Sequence, residues 1–160
     1  CYAALNTVVS PIQIYHPSNI SQPLYELPNK VENGLLYFND EFALYLEQDC
    51  LVMYDAINMQ YSIFAILPDD MQKIIQQINS RTASYYIDFI TTNQFIHNYI
   101  HDNFLPIVIK NPIEQTDYCY LFTANGDYVR KFNSKQDMVG YIKHEISTKN
   151  NLSCDIMRLY

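Results

Sequence analysis

The first thirty residues set short apolar stretches between Pro11, Pro17, Pro23 and Pro28. "NTVVS", "IQIYH" and "PLYEL" therefore predict short β segments and exclude a long central strand. Asn33-Gly34 is a turn signal leading into "LLYF". "DEFALYLEQ" has two readings: Phe42, Leu44 and Leu46 alternate as in a strand, while Asp40 is a suitable cap for a short helix. "CLVMYD" and "MQYSIFAIL" predict two strands with a tight connection over 56–58.

At Pro68 the period changes. Met71, Ile74, Ile75 and Ile78 recur at i, i+3, i+4 and i+7 behind Asp69 and Asp70, either of which suits a cap, so 69–79 is a predicted helix. A second helical stretch is predicted over 83–104, broken or kinked at "TTN" (91–93), where Thr92 caps a new helix. Pro106 stops it, and "PIVIK" reads as a short strand. "YCYLFTANGDYVRKF" predicts a hairpin, with Asn125-Gly126 suited to a type I′ turn. Ser134 and Asp137 open a third predicted helix, 134–148, with Met138, Val139, Ile142 and Ile146 as its buried stripe. "CDIMRLY" is expected to close the chain as a strand.

The predicted order is strands, helices, hairpin, helix and strand, with no βαβ alternation, which predicts an α+β fold. The expected architecture is a single domain over 1–160. It is a mainly antiparallel sheet of N-terminal strands, C-terminal hairpin and last strand, packed against about three helices.

Composition agrees with a packed domain: 49% of residues are apolar and 17% charged in a chain of 160. Tyrosine is abundant (15), glycine scarce (3) and tryptophan absent. Ile, Asn and Tyr share AT-rich codons, a bias that fits a viral, phage or host-associated bacterial genome. Net charge is −7, and the densest basic stretch is only Arg130, Lys131 and Lys135, so direct nucleic-acid binding is disfavoured. No apolar run is long enough to span a bilayer. The start at Cys1 is read as trimming of a longer chain, in preference to a lipid-bearing or nucleophilic Cys1. Cys1, Cys50, Cys119 and Cys154 show no CxxC spacing, and the last three sit in apolar runs, which favours a reducing, cytoplasmic setting.

Four groups carry candidate chemistry. In "FIHNYIHDNF", His97 and His101 stand four apart on a helical face, with Asp102 adjacent. The pair supplies two ligands for zinc or manganese where a site needs three or four, and Asn98 replaces the glutamate of an HExxH pattern. The cysteines lie at no predicted helix start, the setting that favours thiolate. Asp69, Asp70, Asp127 and Asp137 are explained by caps and turns, and the phosphate-cradling and GxSxG motifs are missing. The tyrosines are the fourth group: Tyr85, Tyr86, Tyr99, Tyr120 and Tyr128 are candidates for a recognition surface, since few charges remain to cover the exterior.

The function expected from these readings is non-enzymatic. The chain is read as an inhibitor, immunity or accessory factor, viral or phage-derived, that binds another protein through a tyrosine-rich, charge-poor face without a cofactor. The alternatives are a small metal-dependent hydrolase or nuclease with His97, His101 and Asp102 at its centre, and an assembly subunit that self-associates as a homo-oligomer.

Overall fold

The computed structural model describes residues 2–4, 12–27, 35–47, 49–79, 89–111 and 115–158. Ten strands and three helices are present among them, and every strand pairing is antiparallel. The fold is α+β, but the strands form three separate sheets.

The first sheet is β1 (Tyr2–Ala4), β2 (Gln13–Tyr15) and β3 (Tyr25–Glu26). The second is a meander of β4 (Leu35–Phe38), β5 (Phe42–Glu47), β6 (Cys50–Asp55) and β7 (Gln60–Ile66). "DEFALYLEQ" resolves to strand, because the Asn39 side chain accepts from the amides of Glu41 and Phe42 and turns the chain directly into β5. The first sheet packs on one face of the second. Ile12, Ile14 and Leu27 meet Ala43, Tyr45, Val52 and Tyr54 there. The Tyr25 hydroxyl ties the two sheets by donating to the carbonyls of Asn39 and Phe42.

The third sheet has β9 (Thr116–Thr123) between β8 (Phe104–Asn111) and β10 (Tyr128–Phe132). It faces the other side of the meander. Leu105, Ile107, Ile109, Tyr120 and Phe122 pack with Leu36, Leu44, Leu46 and Leu51, while Met71 and Ile74 of α1 (Asp69–Asn79) and Ile96 of α2 (Phe89–Ile100) complete that core. The outer face of the third sheet is covered by α3 (Lys135–Arg158) through Met138 and Ile142 against Val108, Cys119 and Leu121. Helix α2 lies along β4 and β8, the edge strands on one side of the two facing sheets. On the other side, the β9–β10 turn abuts β7, since a Cβ added at Gly126 would overlap the Phe64 carbonyl oxygen.

Several expectations change. Helix α3 runs on through "CDIMRLY" to Arg158, so the closing strand is not formed, and Leu159 and Tyr160 lie outside the described residues. Gly140 is the last glycine and no proline follows it, so nothing in the sequence stops the helix. Thr148 does not end it either: its hydroxyl donates back to the His144 carbonyl within the helix. The predicted 83–104 helix is shorter: α2 ends at Ile100, and Asn103 (φ 70°) turns the chain into β8. "TTN" lies inside α2, and Pro106 stands within β8, where an edge strand tolerates it. The hairpin turn is not type I′, because among its residues only Gly126 (φ 92°) has positive φ. Gly126 donates to the Thr123 carbonyl, giving a turn followed by a left-handed glycine and a bulge.

Other expectations hold. Helix α1 has the predicted bounds, but its cap is not an aspartate: the Pro68 carbonyl accepts the first bond, from the Gln72 amide, and Asp69 and Asp70 lie inside the first turn. Ser134 caps α3 through its hydroxyl and the Asp137 amide. "NTVVS" and Asn33-Gly34 lie outside the described residues.

Candidate interaction surface

The sequence-predicted metal pair is close in space. His97 in α2 and His101 just after its end have ring centroids 5.7 Å apart at 82°. Both imidazoles and Asp102 are exposed. The His97 ring lies near-parallel to the Tyr37 ring of β4 at 6.4 Å, so an aromatic contact accounts for its position. Among the described residues, no group of three His, Cys, Asp or Glu side chains is arranged to hold a metal. The site therefore remains at two imidazoles.

Burial explains the thiols. Cys119 is fully buried in the third sheet, and desolvation pushes its thiol up to about 11. Cys50 is raised by burial and by the neighbouring Asp49 and Glu47. Both are free thiols. A raised pKa keeps them protonated near neutrality, unlike a nucleophilic cysteine. Cys1 and the Cys154 side chain lie outside the described residues.

The proposed tyrosine face divides. Tyr120 is 0% exposed, so its ring is core and not a contact surface. Its hydroxyl donates to Asp70 Oδ2 at 3.0 Å, and Lys131 Nζ lies 3.1 Å from the same oxygen. Tyr99 is half-buried, edge-on to Phe95. Tyr128 is 42% exposed and packs its ring against Phe122. Tyr85 and Tyr86 lie outside the described residues. The basic stretch is also engaged locally: Arg130 sits over Phe132 and Lys135 over Phe95, at 4.5 and 4.6 Å from the ring centroids.

Among the described residues, the largest run of exposed apolar side chains lies elsewhere. Tyr61 (55% exposed), Ile63 (68%) and Ile66 of β7 share one face of the meander, opposite Tyr54, Val52 and Cys50 of β6. That face is the one the first sheet covers, yet among the described residues the cover stops at β6. Tyr54 and Val52 are buried while their partners one strand further out are not. A bulge after Ile63 sends Phe64 towards the opposite core and returns Ile66 to the open face.

The loop before β7 extends the apolar surface. Asp55 Oδ1 accepts from the amides of Ile57 and Asn58, and Oδ2 accepts from the Asn58 side chain, which holds the carboxyl below its usual range. That fixed turn presents Ile57 and Met59 (77% exposed) at its tip. From Ala56 to Leu67 the chain carries no charged residue. The sequence shows this as a strand-like apolar run, but such a run does not reveal which face the rest of the chain leaves uncovered.

No protein-family model, curated protein or solved structure matches the chain. Among the described residues, no helix is long and apolar enough to cross a membrane.

Proposed function

We infer that the protein is a non-enzymatic binding domain that docks a protein partner, a different chain or a copy of itself, on the β6–β7 hairpin. The observation that carries this reading is the exposed row of Tyr61, Ile63 and Ile66 with Ile57 and Met59 at the tip, free of charge along its whole length. Monomeric soluble domains rarely leave large contiguous apolar patches in water, and such patches commonly mark contact surfaces. Interface centres are likewise depleted of charge and enriched in Tyr and Met. The half-exposed Tyr128 stands on β10 of the third sheet and is not part of this row.

This role fits an inhibitor, immunity or accessory factor acting in a reducing compartment, where Cys50 and Cys119 stay as thiols. The experiment is quantitative co-purification from cells that encode the protein, comparing wild type with Ile63→Lys. A stoichiometric protein partner lost in the variant supports the reading. A partner retained undiminished by the variant overturns it.

A further inference from the structure

The edges of the sheets are not treated alike. Strands β4 and β8 are flanked by α2, β8 carries Pro106, β10 carries Arg130 and Lys131, and β3 carries Glu26. Helices, prolines and charges are the usual means of blunting an edge against strand addition. Strand β7 is an edge with none of these among the described residues, as is the three-residue β1. At Phe64 β7 is approached by Gly126 of the β9–β10 turn. Short of that point, residues 60–63 are exposed.

We propose that the occupant of this surface is a second copy of the chain, paired β7 to β7 in antiparallel fashion about a two-fold axis. The proposal rests on the reading of the β6–β7 face as a binding surface. Identical antiparallel strands keep their faces matched only when the axis passes through a residue, because paired side chains point to the same side. With the axis at Ser62, Tyr61 of each copy stands opposite Ile63 of the other, and both lie on the open apolar face. Aromatic against β-branched is a favourable cross-strand pair, and the symmetry forms it twice. The same axis carries Ile57 and Met59 of each loop past the paired residues, on the side of the other copy's exposed Ile66, apolar against apolar. Two four-stranded meanders become one eight-stranded sheet, and no like charges are brought together along 56–67. This self-complementarity favours a second copy over an unrelated strand.

The test is sedimentation of the full chain from micromolar to near-millimolar concentration. Wild type is expected to show a monomer–dimer equilibrium, with Ile63→Lys weakening it by at least about tenfold. Ser62→Asp, which sets two carboxylates on the axis, is a second variant with the same expectation, and far-UV circular dichroism checks that both fold. Ser62→Cys is expected to form a disulfide-linked dimer on mild oxidation that wild type, with its native thiols, does not form. A wild type that stays monomeric throughout overturns the proposal, as does a dimer indifferent to both substitutions or a failure of Ser62→Cys to cross-link. A monomer whose native partner is lost in Ile63→Lys overturns self-pairing alone. A monomer whose partner binding is unchanged overturns the binding-surface reading as well.

Discussion

The Tyr120 hydroxyl donates to the Asp70 carboxylate at 3.0 Å, joining the centre of the third sheet to the first turn of α1 across 50 residues of chain. Lys131 of β10 reaches the same oxygen at 3.1 Å and lies over the Tyr118 and Tyr120 rings. A buried phenol thus finds its partner in a carboxylate at the surface. Removing the two ends has unequal consequences. Asp70→Ala orphans a buried hydroxyl and is expected to cost about 1 to 3 kcal/mol, whereas Tyr120→Phe leaves Asp70 solvated beside Lys131 and is expected to cost about 1 kcal/mol. Urea denaturation of the two variants measures the order; Tyr120→Phe costing more than Asp70→Ala would contradict it.

The same carboxylate gives a pH dependence. Burial raises the Asp70 pKa, but Lys131 and the Tyr120 hydroxyl outweigh it and hold the group below its ordinary value. A depressed folded pKa means the stabilisation is present above the unfolded value of about 3.9 and is lost as pH falls through the folded pKa. Asp55, lowered by its bonds to Asn58 and Ile57, acts in the same direction on the hairpin tip. Stability followed from pH 6 to pH 2 is expected to fall less steeply in Asp70→Asn than in wild type. Parallel curves would show that Asp70 has no part in the acid sensitivity.

Gly126 is expected to be intolerant of a side chain. Its φ of 92° lies in the left-handed region, and a Cβ there meets the Phe64 carbonyl. Gly126→Ala therefore strains the turn and displaces β7, with a loss of more than about 1 kcal/mol. Thermal unfolding checks this, and an unchanged midpoint would place the turn away from β7. The contact also explains why Asn125-Gly126 misleads as a type I′ signal: the dipeptide permits that turn, but packing against β7 accompanies a single left-handed residue.

Cys119 is expected to react with a thiol reagent only after unfolding, since it is buried and its thiol is pushed up to about 11. Peptide mapping after labelling with and without denaturant distinguishes it from Cys50. Native-state labelling of Cys119 at the rate of a free thiol would show that the third sheet opens.

Local patterns made much of this fold legible, and long-range packing hid the rest. The i, i+3, i+4 spacing behind Pro68 found α1, and Ser134 found the start of α3, because both signals are contained within one turn. "CDIMRLY" has strand-like composition but follows a helix with no stop signal, and continuation won. Tyr120 looked like a contact residue because tyrosine suits both cores and interfaces; only the reach of Asp70 from another element settles it as core. The apolar row on β7 was invisible as a surface for the same reason: its exposure depends on where the first sheet stops covering the meander.

Central to the proposed function is that this row is surface set aside for a partner and not part of the core. The most direct test is the unfolding free energy of Ile63→Lys beside Leu44→Ala, at a concentration where the chain sediments as a monomer. Leu44, buried in the meander, is expected to cost about 2 to 5 kcal/mol when truncated. Ile63→Lys is expected to stay within about 0.5 kcal/mol of wild type, as an exposed position should. A loss at Ile63 comparable to that at Leu44 would contradict the proposed role, because it would mean the row is already buried in the monomer.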